Sequence, residues 1–159
     1  MKHIVARQRV LVGALALSGL VSACAPAAST QDYEPRIRAA HEELFTKGNI
    51  SFVRDNFAPS YVAHVNGDEL SGPEAIEQFV MGVRAAFPDF RYEVVILATE
   101  GDRVTWLRTN QGTHQAEYMG VPASGRAITW HDMVVTRFDG DNVAEEWAVT
   151  DIGERLRAP

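Results

Sequence analysis

The chain has 159 residues, is 46% apolar and carries a net charge of −6, which suits one domain with a core of its own. Surplus acid repels phosphate backbones and anionic headgroups, so nucleic-acid binding and electrostatic membrane adhesion are excluded and a small or neutral partner is left. The sole cysteine, Cys24, excludes an intramolecular disulfide, and the core alone must hold the fold.

In chain order the first feature is a leader. Lys2, Arg7 and Arg9 form a basic lead, Val10 to Leu20 is apolar, and Val21-Ser22-Ala23-Cys24 follows. This apolar run is well short of the roughly twenty residues that span a bilayer, so 1–23 reads as a signal peptide and not a membrane helix. The tetrapeptide resembles a bacterial lipobox, which makes Cys24 the lipidated first residue of an exported, membrane-anchored lipoprotein on the periplasmic or cell-surface side. The other reading is an ordinary signal peptide cut after Ala23. Without Lys2, Arg7 and Arg9 there remain 12 basic residues against 21 acidic ones, a net charge of −9, so the lipid anchor is the only membrane contact expected. Residues 24–31 are small with one proline, and make a tether ahead of a domain over 32–159.

Ile37, Ala40, Leu44 and Phe45 fall at helical spacing and Gly48 stops the run, which predicts an amphipathic helix over 33–47. A second short helix over 51–57 ends at Pro59, and 61–65 alternates as a strand before the turn Asn66-Gly67-Asp68. Ser71 and Glu74 have the spacing of a capping box, and Ile76, Phe79, Val80, Val83 and Phe87 draw one apolar stripe until Pro88. From Phe90 the period changes to two, with Phe90, Tyr92, Val94 and Ile96 on one face. Three further strands, 103–113, 127–138 and 143–150, are joined by the loop 114–126 and by the Asp-Gly turn 139–142. Helices first and sheet after predict an α+β domain, with helices packed on one face of a curved antiparallel sheet. The chain carries no Gly-rich phosphate loop, nucleophile elbow or zinc-binding helix motif.

Gly112-Thr113-His114, Gly120-Val121-Pro122 and Gly125-Arg126, with Glu145-Glu146-Trp147 on the last strand and Ala85-Ala86-Phe87-Pro88-Asp89 in support, resemble the SnoaL-like polyketide cyclase and ester cyclase family over residues 33–156. The resemblance implies a cone-shaped, nuclear transport factor 2-like fold with a ligand cavity between helices and sheet. It implies an enzyme acting without metal or organic cofactor, by acid/base chemistry, on a small and largely apolar carbonyl, ester or lactone compound: a cyclase, isomerase or hydrolase. It also puts the family's catalytic aspartate at Ala148 and its cavity histidine at Val134, side chains that transfer no proton. That loss supports a second reading, a non-catalytic lipoprotein that holds a small apolar ligand in the same cavity.

Strand parity extends the cavity face from these two positions. Asp132 and Thr136 share a face with Val134, and Glu146 and Thr150 with Ala148; in the family's register Val104, Trp106, Arg108 and Asn110 join them. Glu146 and Asp132, with Arg108 nearby, are expected to move protons, one carboxyl being raised by burial and like charge, or else to form only an ion-paired network at the cavity mouth. A carboxylate at 146 instead of 148 is shifted about 6.6 Å along the strand, by this reading toward the mouth. His64, on the short strand beside the cavity, is a third candidate for proton transfer, or a wall histidine. Trp106, Arg108, Asn110, Tyr92, Val134 and Ala148 then form the substrate-binding surface. His131 and Asp132 are neighbours that face opposite ways, so they make no metal pair, and His114 is read as ordering its loop. Leu107, Met133, Val135, Trp147 and Val149 lie on the opposite face, which one subunit's helices cannot also cover, and predict a homodimer through it.

Overall fold

The structure is a computed structural model that describes residues 31–159. The leader, Cys24 and all of the tether except Gln31 lie outside the described residues.

Helix α1 (Glu34–His41) opens with proline in its first turn, where a missing N–H costs nothing, and Glu34 pairs with Arg38 one turn on. It runs directly into a π-helical turn (Glu42–Lys47), so the expected helix over 33–47 exists but widens in its last turn. Gly48 ends it at φ 72°, and a Cβ there would lie 2.9 Å from the guanidinium carbon of Arg84, whose Nη1 donates to the carbonyl of Phe45. Only glycine meets both demands.

Helix α2 (Phe52–Asn56) passes at once into β1 (Phe57–Val65), so the strand begins earlier than its alternation indicates and Pro59 sits inside it. The pairing of β1 with its neighbour is interrupted between Phe57 and Val62, and a proline is tolerated where the ladder is broken. Strand β2 (Asp68–Ser71) follows the turn at Asn66-Gly67; all four of its residues are exposed, so no apolar alternation announced it. Ser71 closes β2 opposite Val62 and caps nothing: Pro73 takes the N-cap position of α3 (Glu74–Ala86), without a side-chain cap, and the capping box does not form. The apolar stripe of α3 is as expected, with Val80, Val83 and Phe87 fully buried.

Strands β3 (Arg91–Glu100), β4 (Arg103–Thr113), β5 (Ala127–Asp139) and β6 (Asn142–Thr150) form an antiparallel meander, and α4 (Ile152–Arg157) buries Ile152 and Leu156 behind it. The sheet order is β2-β1-β6-β5-β4-β3. All neighbours are antiparallel except β1 and β6, which run parallel because the chain between them makes the long excursion that parallel neighbours require. Helices α1 to α3 pack on the concave face, giving the α+β layering the segment order predicts.

The segments singled out in the sequence meet here. Asp89 accepts from the backbone N–H of Thr113 at 2.7 Å and from its hydroxyl at 2.8 Å, which holds the Asp89 carboxyl below its usual range. Gly112 lets β4 press against Phe87, since a Cβ would lie 2.9 Å from that of Phe87. The His114 N–H donates to the carbonyl of Arg126 and its carbonyl accepts from Gly125, both at 2.9 Å, so the two ends of the loop are tied through His114.

Candidate active site

Helices α1 and α3 and the concave face of β1, β4, β5 and β6 enclose a cavity of about 340 Å³, within the range of small-molecule sites. Its walls are mainly apolar, with Phe45, Phe79, Trp106, Trp130 and Val134 prominent. Exposed residues of the β1–β2 hairpin, Asn66, Asp68 and Leu70, and of the loop, Met119, border one end, which is the mouth. Buried Phe57, Tyr61 and Val143 close the other.

Two hydrogen-bonded polar clusters interrupt this lining, one toward each end. At the closed end the Glu146 carboxyl accepts from the Tyr61 hydroxyl and from the Thr136 hydroxyl, both at 2.7 Å, and Thr136 in turn accepts from the indole N–H of Trp106 at 2.9 Å. Burial raises the Glu146 pKa from 4.5, opposed by the two hydroxyl donors and by the more distant charge of Arg108. Burial, then the charge of Glu146, pushes Tyr61 well above its usual value, so Tyr61 is a neutral donor. Toward the mouth, Asp132 binds Arg108 (Nη2 to Oδ2 2.6 Å, Nε to Oδ2 2.9 Å) and Asn110 (Nδ2 to Oδ2 2.8 Å), and the guanidinium lies 4.7 Å over the ring of Phe45.

The expected cluster of Glu146, Asp132 and Arg108 is therefore divided. Glu146 faces Thr136 across the β5–β6 ladder while Asp132 faces Thr150, four residues apart on β5 or about 13 Å of strand. The direction of the shift is also corrected. Val134 and Ala148 are direct ladder partners lining the cavity, and Glu146 stands two residues from them toward the closed end, because the mouth lies at the Thr150 end of β6.

Trp106 and Arg108 line the cavity as expected. Asn110 does not: it is fully buried behind Asp132. Tyr92 does not line the cavity either: it packs beside His41 and Phe90, its hydroxyl 3.2 Å from that of Thr46. His64 is on the wrong face. Tyr61, Ala63 and Val65 of β1 point inward, so parity turns His64 outward, where it stacks on Trp147 at 5.5 Å and bonds Glu145 at 3.0 Å.

Three residues of the site were missed. His41 falls on the same helical stripe as Ile37, Leu44 and Phe45 and lines the cavity; its Nδ1–H donates to the carbonyl of Ile37 at 2.7 Å, and the ring stands edge-on to Trp106. Burial, then the charge of Arg108, lowers its pKa from 6.5 to about 3, so the ring is neutral. Tyr61 was visible by parity with Ala63 and Val65, the same pattern that excludes His64. Tyr118, in the loop, borders the cavity near Asp132; burial, then the Asp132 charge, pushes its hydroxyl up to about 12. No local pattern marks a loop tyrosine.

A family model described as SnoaL-like polyketide cyclase matches residues 36–158. The chain belongs to the SnoaL-like polyketide cyclase family. No curated protein matches it. Among solved structures, this SnoaL-like chain is similar to AclR, a candidate hydroxylase of Streptomyces galilaeus, at 29% identity, a TM-score of 0.65 and coverage of 79% of this chain and 96% of AclR. It is similar to a candidate polyketide cyclase of Acidithiobacillus ferrooxidans at 27% identity and a TM-score of 0.67, covering 82% and 98%. It is also similar to IdmH, a candidate polyketide cyclase of Streptomyces antibioticus, at 27% identity and a TM-score of 0.63, covering 77% and 94%.

Proposed function

We propose that this SnoaL-like protein is a cofactor-independent acid/base enzyme acting on a small, largely apolar carbonyl, ester or lactone compound, with Glu146 as its proton-transfer group. One observation carries the reading: an enclosed carboxyl, raised in pKa, held by hydroxyl donors on both oxygens at the closed end of an apolar cavity. As carboxylate, Glu146 takes a proton from carbon beside a carbonyl; as acid, it returns one to another position of the same molecule. The Trp106–Thr136 bond and Tyr61 orient it, and Val134 and Ala148 shape the wall beside it.

The test is exchange of carbon-bound protons in heavy water, followed by NMR over a panel of small ketones, β-keto esters and lactones. Glu146→Gln keeps size and hydrogen bonding, and should cost on the order of 10² to 10⁴ in exchange rate while affinity hardly changes. The apolar pair Val134 and Ala148 favours a second reading, a ligand carrier. A panel that binds but shows no exchange, with binding unaffected by Glu146→Gln, would establish the carrier instead.

The protein works as an exported lipoprotein anchored through Cys24, and as a homodimer through the outer face of its sheet. Supporting the dimer, Val95, Leu107, Met133 and Val149 stand side by side across four strands, with Met133 51% and Val149 68% exposed. Mass spectrometry of the membrane fraction checks the anchor: an unmodified N-terminus on a soluble protein would sink it. The dimer is checked by light scattering.

A further inference from the structure

Among the described residues two that are not glycine hold a positive φ, Asn66 at 51° and Met119 at 52°, and both border the cavity mouth. Asn66 is accounted for by its own side chain. Asparagine tolerates the left-handed region, and here its Nδ2 donates to the Thr150 carbonyl at 3.1 Å while its Oδ1 accepts from the Thr150 N–H at 3.0 Å. Those bonds tie the β1–β2 hairpin to the end of β6. Met119 has no such account. Tyr118 and Val121 exchange both backbone hydrogen bonds at 3.0 Å, so Met119 and Gly120, at φ 52° and 72°, are the central pair of a two-residue turn. Turns with positive φ at both positions favour Asn-Gly or Gly-Gly. A methionine there strains the backbone; its thioether is at best a weak acceptor and the residue is 55% exposed, so little within the described chain offsets that strain. The turn is well anchored: Tyr118 packs on α3, where a Cβ on Gly82 would lie 3.2 Å from its ring, and the Gln115 N–H donates to the Ala86 carbonyl at 2.8 Å. Of the large apolar residues exposed on the described surface, Met119 and Leu70 are the two that border the cavity.

We propose that Met119, with Leu70 beside the same mouth, is a specificity residue that contacts the far end of a ligand whose apolar chain runs the length of the cavity. Strain that a residue carries without return inside the chain is accounted for when the side chain it displays meets a ligand. The unbranched, polarisable methionine side chain adapts to an apolar chain of variable shape. This deepens the function proposed above and rests on it for the ligand's orientation, with the carbonyl at Glu146. From Glu146 to Thr150, at the mouth, is four residues along β6, or about 13 Å of strand. The substrate class thereby narrows to carbonyl compounds with an apolar chain that covers that distance. Met119 sets affinity for the chain and takes no part in proton transfer.

The experiment measures binding of methyl pentyl ketone and methyl nonyl ketone to the full chain by tryptophan fluorescence, since Trp106 and Trp130 line the cavity. Met119→Asn installs the residue the turn favours, and Met119→Gly is the second variant. Each should raise the melting temperature by about 3 °C, since left-handed strain is relieved. Each should also weaken the nonyl ketone about fivefold, the equivalent of roughly one methylene returned to water, and leave the pentyl ketone unchanged. Met119→Leu keeps an apolar side chain on the strained backbone and should bind both ketones as the unaltered chain does. A fall in melting temperature with Asn or Gly would show that methionine stabilises the turn, and overturns the proposal. Equal effects on the two ketones, or none on either, overturn it too, while proton exchange from the pentyl ketone still tests Glu146 separately. Loss of that exchange with the chain-length effect intact sinks the proton-transfer reading and supports the contact at Met119. Binding of neither ketone overturns both.

Discussion

Strands β4 to β6 carry two faces that break the usual rule in opposite directions. Inward, where helices exclude water, stand Arg108, Asp132, Thr136 and Glu146; outward, where water has access, stand Met133, Trp147 and Val149. A sheet with one solvated side ordinarily puts apolar groups in and polar groups out. Each inner polar group is held by at least one hydrogen bond to another inner side chain, which offsets the cost of its burial. Among the described residues nothing covers the outer apolar groups, Met133 and Val149 above all. The partners proposed above follow this division, a small molecule for the inner face and a second copy of the chain for the outer one.

The contrast breaks most sharply at the ion pair. Asp132→Ala leaves the Arg108 guanidinium buried without its carboxylate and should cost about 3–5 kcal/mol in urea unfolding, with much of the loss recovered when Arg108→Met is added. Trp106→Ala should cost about 3 kcal/mol, the low end for a buried aromatic because the ring already borders a void. It should also weaken binding of apolar ligands, which fluorescence or calorimetry reads.

The inner face should also respond to acid through His41. Its folded pKa, about 3, lies below the ordinary 6.5, so the unfolded chain binds the proton first and stability falls as pH drops below 6.5 toward 3. Relative to His41→Leu, the unaltered chain should lose about 2 kcal/mol between pH 7 and pH 5 in denaturant titrations. The outer face should respond least in stability. Val149→Lys, at a residue 68% exposed, should shift monomer stability by about 0.5 kcal/mol or less yet dissociate the proposed dimer in light scattering. A variant that stays dimeric would remove the assignment of that face.

Much of this was legible in the residues because it is periodic. The alternation over 103–113 and 127–138 locates both strands and assigns Asp132, Val134 and Thr136 to one face, and the α3 stripe foretells its buried side. Strand β2 could not be read, since a ribbon exposed at every position has no period. His64 was misplaced although the pattern of Tyr61, Ala63 and Val65 placed it correctly: a titratable side chain outweighed the parity that turns it outward.

By itself, then, the sequence determined the family, the α+β order of elements, and which residues of the last three strands share a face. These follow from spacing along the chain, which burial on one side imprints on every second or every third to fourth residue. Tertiary structure alone decided that Glu146 lies at the closed end, that Asp132 belongs to Arg108 and not to Glu146, and that His41, Tyr61 and Tyr118 border the cavity. Depth along a strand depends on where distant segments close or open the cavity, and contacts such as Tyr61 to Glu146, 85 residues apart, leave no trace in local spacing.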